Sequence, residues 1–266
     1  NDVQARLLET GIPDHPFFEP LLLSYFPEAL VEKYPDALKD HQLRREIVAM
    51  VVANTLVNQA GSTFLIDRQK ETMASLEDLV LRYFLIDDLL DGARLRESIH
   101  ALDNRIPAEV QYDLLLALED AIGGLLRWWN WNESEWSLSP AQQPEVRELF
   151  REGLVALERE SASADFQEEV ESLVAQGVDA PLAQELGRLV WARRVLGIVS
   201  AAGKAGTSPT RAAQRYRRCG EEMHLDKFEQ ILAAQPLGNA WEKRFHAILQ
   251  RTLSRYHDRF LARELT

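Results

Sequence analysis

A single cysteine, Cys219, stands among 266 residues, so no internal disulfide can form and no thiol pair is available for a structural zinc site. That usage suits a reducing cytoplasm, the expected location. Glycine is sparse at 13 residues, and none of it cradles phosphate: neither GxGxxG nor the P-loop pattern occurs, and no strand is legible to carry either. No apolar run reaches the ~18 residues of a membrane span, because Asn54 and Asn58 interrupt the best candidate. Positive charge is also short. Lys and Arg number 30 against 42 Asp and Glu, a net charge of −12. That argues against nucleic acid or an anionic membrane as partner, since phosphate binding needs a compensating basic surface.

The 6 histidines are dispersed and none lies in HExxH. Glu242 and His246 share a helical face at i, i+4, yet two ligands do not make a metal site. No serine stands in a nucleophile elbow, and Asp87, Asp88 and Asp91 read as a solvated helix end. No catalytic, cofactor-binding or metal-ligating residue is assigned. The chain opens at Asn1 without an initiator methionine or signal peptide, which reads as a piece of something longer, or as a processed product.

What remains is helix, and the expected fold class is all-α, a multi-helix bundle. Ile47, Val51, Asn54, Asn58, Gly61 and Leu65 recur at helical spacing, with Met50, Ala53, Val57, Ala60 and Phe64 as a second stripe beside them. The spacing predicts one long helix over 42–72, apolar around so much of its girth that it belongs inside a helical assembly. On that reading Asn54 and Asn58 are buried amides that must find partners, because an unpaired one costs about 1–3 kcal/mol. Gly61 would permit close backbone approach. These three are expected to set how neighbouring helices dock.

Further helices are expected near 76–90, 93–102, 107–131, 144–160, 164–176, 180–203, 209–222, 226–234 and 239–263. Ser75 before Leu76, Glu77 and Asp78 reads as an N-cap with acids in the first turn, and Ser208 before Pro209 as a cap with proline at N1. Residues 1–43 carry Pro13, Pro16, Pro20, Pro27 and Pro35, which permit only short helical pieces. They read as a connecting arm, though Phe17, Phe18, Leu21, Leu22, Tyr25 and Phe26 make it too apolar to be a free linker. Residues 44–266 would then be the helical domain. A shift of 133 residues places Ser75 on Ser208, Arg82 on Arg215, Tyr83 on Tyr216, and Leu56 and Val57 on Leu189 and Val190. That suggests two related halves, 44–131 and 180–266, joined by 132–179.

Three groups of residues invite a functional reading. Arg211, Arg215, Arg217 and Arg218 are a solvated helix face or a contact for an anion or acidic partner. Arg82 and Arg215, with Arg68, are the arginines that would hold a small acidic effector; the competing reading has each bonding a helix end or a nearby glutamate. Trp128, Trp129, Trp131 and Trp136 crowd the end of one helix, either closing the core or anchoring an interface, where tryptophan is enriched.

Several strings resemble one family: YFPEAL at 25–30, HQLRREIVAMVVANTLVNQAGSTF at 41–64, the turn at 71–75, ALDNRIPAEVQ at 101–111, and GEEMHLD at 220–226 with Trp241 downstream. They resemble the C-terminal region of the very large bacterial NAD-specific glutamate dehydrogenases. Asp67 and Met73 depart from the pattern, and 132–178 is the least recognisable part. The resemblance implies a multidomain cytoplasmic, homo-oligomeric enzyme that oxidises L-glutamate to 2-oxoglutarate with NAD. Its substrate and dinucleotide domains precede this region, so no catalytic residue and no cofactor is carried over; NAD belongs to the parent. Three roles are open for this region, one principal and two alternative. The principal one is a non-catalytic domain for subunit assembly and allosteric control, whose partners are the catalytic domain of the same chain and neighbouring subunits. The alternatives are a module binding an amino-acid effector and a helical adaptor for another protein.

Overall fold

Gly61 decides the course of the first long helical stretch. It takes φ 89° and ψ 160°, a region open essentially to glycine alone. The expected 42–72 helix is therefore two, α5 (Arg44–Ala60) and α6 (Phe64–Thr72), bent by 84°. This comes from a computed structural model, which describes residues 2–132, 138–161, 164–235 and 238–265. Among them there is no strand, and the architecture is all-α. No single described helix is long and apolar enough to cross a membrane, although the bent α5–α6 pair passes by length and composition together.

The chain divides into two compact units, one of residues 1–90 with 129–140, the other of 91–128 with 141–266. The division falls at Leu90, not at residue 43, because the proline-rich segment folds onto α5. That segment forms α1 (Asp2–Leu8), α2 (Glu19–Ser24), α3 (Glu28–Lys33) and α4 (Pro35–Lys39), with two 3-10 turns between α1 and α2. Leu7, Ile12, Phe18 and Leu22 are buried, each such burial being worth about 1.5–3 kcal/mol. The elements carrying Leu7, Ile12 and Leu22 pack on α5, whose buried face is made by Ile47, Val48, Ala49, Val52, Ala53 and Leu56. Phe18 meets Phe84 edge-to-face, ring centroids 5.2 Å apart. Arg45 ties the segment down by donating to the Leu8 carbonyl at 2.9 Å and pairing with Asp14.

Helix α7 (Leu76–Leu89) completes this unit. Ser75 Oγ accepts the Asp78 amide at 3.0 Å, satisfying one of the donors left open at a helix start. Tyr83 is fully buried and its hydroxyl bonds Gln59 at 3.2 Å.

The second unit holds α8 (Gly92–His100), most of α9 (Ala108–Trp131), α10 (Gln143–Ser161), α11 (Ala164–Ala175), α12 (Ala180–Gly187), α13 (Ala192–Ala205), α14 (Pro209–Glu222), α15 (Leu225–Ala233) and α16 (Ala240–Leu265). The stretch expected as one helix over 180–203 is broken by a 3-10 turn at Arg188–Trp191. There Trp191 packs on Phe166, ring centroids 4.7 Å apart. The core lies among α10, α13, α14 and α16. Small side chains let these helices approach: Ala201, Ala202, Ala212 and Ala213 are buried beside Phe150, Leu157, Val195 and Ile198. Ser208 Oγ accepts the Arg211 amide at 3.2 Å, and Tyr216 is buried below it. Of the positions paired by the 133-residue shift, Leu56 and Leu189 are both inside, Val57 and Val190 both outside, and Tyr83 and Tyr216 both inside, whereas Arg82 is buried and Arg215 half-exposed.

Candidate functional site

The residues singled out by the amides and the long apolar pattern do not form a site. Asn54, Asn58 and Gly61 lie on the exposed side of α5, with Val57. A Cβ added to Gly61 would meet nothing within 4 Å, so this glycine serves backbone conformation and not close packing. The expected stripe is offset from the buried one: the spacing was helical, but the greasier face is that of Val48, Val52 and Leu56. The amides are solvated in this chain and need no internal partner.

Two tryptophans in the last turn of α9 are core residues, Trp128 and Trp129 being 3% and 4% exposed, while Trp131 at its end is half-buried. Trp128 belongs to the second unit, where its Nε1 donates to Asp258 Oδ2 at 3.0 Å. Trp129 belongs to the first, where the Arg82 guanidinium lies 5.7 Å from its ring centroid. Trp136 falls outside the described residues.

Arg82 is buried and donates to Asn130 Oδ1. Its guanidinium is engaged in this unit's own packing. Arg68 lies over Phe64, 5.9 Å from the ring centroid. Arg215 pairs with Glu264 near the end of α16, and that hydrogen bond holds the guanidinium above the usual arginine range. The shift positions Arg82 and Arg215 alike in their helices, yet one is bonded inside and the other half-exposed.

The carboxylates and basic groups elsewhere pair locally. Glu158 uses both oxygens, toward Gln184 and Arg188, at 2.7 Å each. Arg96 meets Glu119 at 2.5 Å in a mostly buried setting. Arg94 is raised by its bond to Asp91, with Glu185 as a second partner. Burial pushes the Cys219 thiol up, which suppresses the thiolate on which cysteine reactivity depends. Glu242 accepts the Gly238 and Asn239 amides, and His246 bonds the Leu232 carbonyl at 3.0 Å. Among the described residues no group of three or more His, Cys, Asp or Glu is placed to hold a metal.

Two features of the second unit were not drawn from the sequence. The first is a cleft of about 520 Å³, whose charged lining is Asp120, Arg127, Glu169, Arg193 and Arg194. Its walls come from helices distant in the chain, so no local motif announces it. The second is an apolar face on α15 and α16. Trp241 is 78% exposed, Phe245 61%, Ile248 58% and Tyr256 64%, with Phe228 and Ile231 exposed on α15. The steps 241, 245 and 248 were readable as a helical stripe. Which apolar stripe stays uncovered was not.

The helical architecture and this surface define a helical domain with one face left apolar. The chain matches, over residues 1–266, the family model described as "Glutamate dehydrogenase, C-terminal", and it belongs to that family. An NAD-specific glutamate dehydrogenase of Halomonas elongata is 29% identical over 246 residues, which is 90% of this chain and 15% of the relative. One from Pseudomonas aeruginosa is 27% identical over 91% of this chain and 15% of its own length. One from Mycobacterium tuberculosis is 30% identical over 47% of this chain and 8% of the relative. The chain thus spans about 15% of the length of the first two relatives.

Proposed function

We propose that this chain is the C-terminal helical part of a large NAD-dependent enzyme that oxidatively deaminates L-glutamate, and that it performs no step of that reaction itself. Its work is assembly: the apolar face of α15 and α16 docks on the catalytic portion of the same polypeptide or on a neighbouring subunit. One observation carries this reading, the run of large uncovered side chains from Trp241 to Tyr256. Contiguous apolar surface of this kind marks an interaction site, whereas scattered single residues do not. Control of the catalytic portion would follow if the docked contacts differ between its open and closed states.

The test is substitution of Trp241, Phe245 and Ile248 by serine in the full-length enzyme, with mass measured by light scattering. Loss of the native assembly, with helical content kept, is the expected result. An assembly of unchanged mass ends the claim of docking on a neighbouring subunit, and unchanged mass together with unchanged protease resistance of α15 and α16 ends the docking claim altogether. A second reading rests on the cleft lined by Asp120, Glu169 and Arg193, which offers both signs of charge to a zwitterion in a volume suited to a small molecule. Calorimetric titration with an amino-acid panel addresses that effector role; no heat from any member removes it.

A further inference from the structure

The turn between α13 and α14, together with the end of α16, encloses a cleft of about 430 Å³ lined by Thr207, Arg211, Gln214, Arg215, Arg218 and Glu264. Helix α14 buries Ala212, Ala213, Tyr216 and Cys219, which turns Arg211, Arg215 and Arg218 outward at i, i+4 and i+7. They form one stripe along this wall.

The stripe is electrostatically unfavourable as it stands. Like charges at helical neighbour spacing repel, and Arg211 sits in the first turn of α14, which contributes no acid of its own to the positive helix end. The carboxylate that reaches this turn, Glu152 of α10, bonds Thr210. One carboxylate, Glu264, faces the three guanidiniums in the lining, and it is committed to Arg215. Among the described residues no hydrogen bond or ion pair engages the side chains of Arg211, Gln214 or Arg218. The chain as a whole carries a net charge of −12, so a cleft lined by three arginines and one glutamate is a local exception.

The donors offered are side chains. The first free amides of α14 are already used, that of Arg211 by Ser208 Oγ and that of Thr210 by Glu152. Guanidiniums favour planar, bidentate bonding to carboxylate or phosphoryl oxygens. The lining has no aromatic ring and little apolar surface, with Ala205 and Leu265 as its apolar side chains. A nucleobase would find nothing to stack on.

We infer that this cleft binds a compact polyanion, a polycarboxylate or a phosphoryl compound, gripped by Arg211 and Arg218, with Glu264 competing for Arg215. The inference goes beyond the assembly role and does not depend on it, because α13, α14 and α16 alone build the cleft.

Calorimetry on the whole chain tests it, using tricarballylate and inorganic pyrophosphate as probes at constant ionic strength; the two arms separate carboxylate from phosphoryl recognition. Saturable binding of at least one probe is expected, weakened about tenfold or more in R211Q/R218Q, since charge-assisted hydrogen bonds are lost. Both side chains are exposed, and circular dichroism verifies that the variant stays folded. E264Q supplies the second check: with the competing carboxylate removed, the probe binds more tightly. Binding of neither probe, equal binding by R211Q/R218Q, or no tightening in E264Q overturns the assignment.

Discussion

Trp128 Nε1 donates to Asp258 Oδ2 at 3.0 Å, joining residues separated by 130 positions. The same carboxylate lies against Gly197 of α13, where an added Cβ would collide with it. One side chain of α16 thus fixes the approach of α9 and α13 together. Trp128→Phe and Asp258→Ala should each cost about 1–3 kcal/mol, because each removes a hydrogen bond to a charged group in a part-buried place. Gly197→Ala should cost a similar ~1–3 kcal/mol by overpacking. Urea unfolding of the three variants checks this; a neutral Gly197→Ala would mean that Asp258 moves aside freely.

Gly61 and the nearby amides give opposite expectations within a few residues. Gly61→Ala should destabilise by about 1–3 kcal/mol through backbone strain alone, since nothing crowds the site. Asn54→Leu and Asn58→Leu, on the exposed side, should each stay within about 0.5 kcal/mol. Thermal unfolding of the separate variants decides; a large loss from either asparagine substitution would show that the amides do hold helices together.

The two serine caps should weigh about equally. Ser75→Ala and Ser208→Ala each remove an acceptor for one helix-start amide, at a cost of about 1 kcal/mol. Chemical denaturation of both variants measures it, and an unchanged midpoint in either would show water replacing that cap.

Cys219 supplies a pH test. Its folded thiol keeps its proton to higher pH than the ordinary value of 9.0, chiefly because it is buried. The unfolded thiol therefore ionises first as pH rises. Its contribution to stability is intact below about pH 9 and is lost above it, through the folded value. A disulfide-exchange reagent should label the native chain slowly at pH 8 and rapidly once urea is added. Fast native labelling would place the thiol at the surface.

How far the sequence speaks is clear from particular elements. Ser75 and Ser208 announce helix starts because a cap is local chemistry, read from a few adjacent residues. The bend at Gly61 was hidden because apolar periodicity continues through it, while the backbone angle does not. The asparagines were misplaced for a related reason: α5 has apolar residues on most of its circumference, so periodicity alone could not say which stripe the arm would cover. The clefts were illegible, since Asp120, Glu169 and Arg193 meet only through tertiary packing. Arg211, Arg215 and Arg218 were visible as a cluster. What the structure adds is that Glu264 engages one of them.

The central claim is that this helical chain supports a reaction carried out elsewhere. Incubating the purified chain with NAD and L-glutamate, while following NADH absorbance and the heat of NAD binding, tests it most directly. Neither NADH formation nor saturable NAD binding is predicted; steady NADH production by these residues alone would contradict the account.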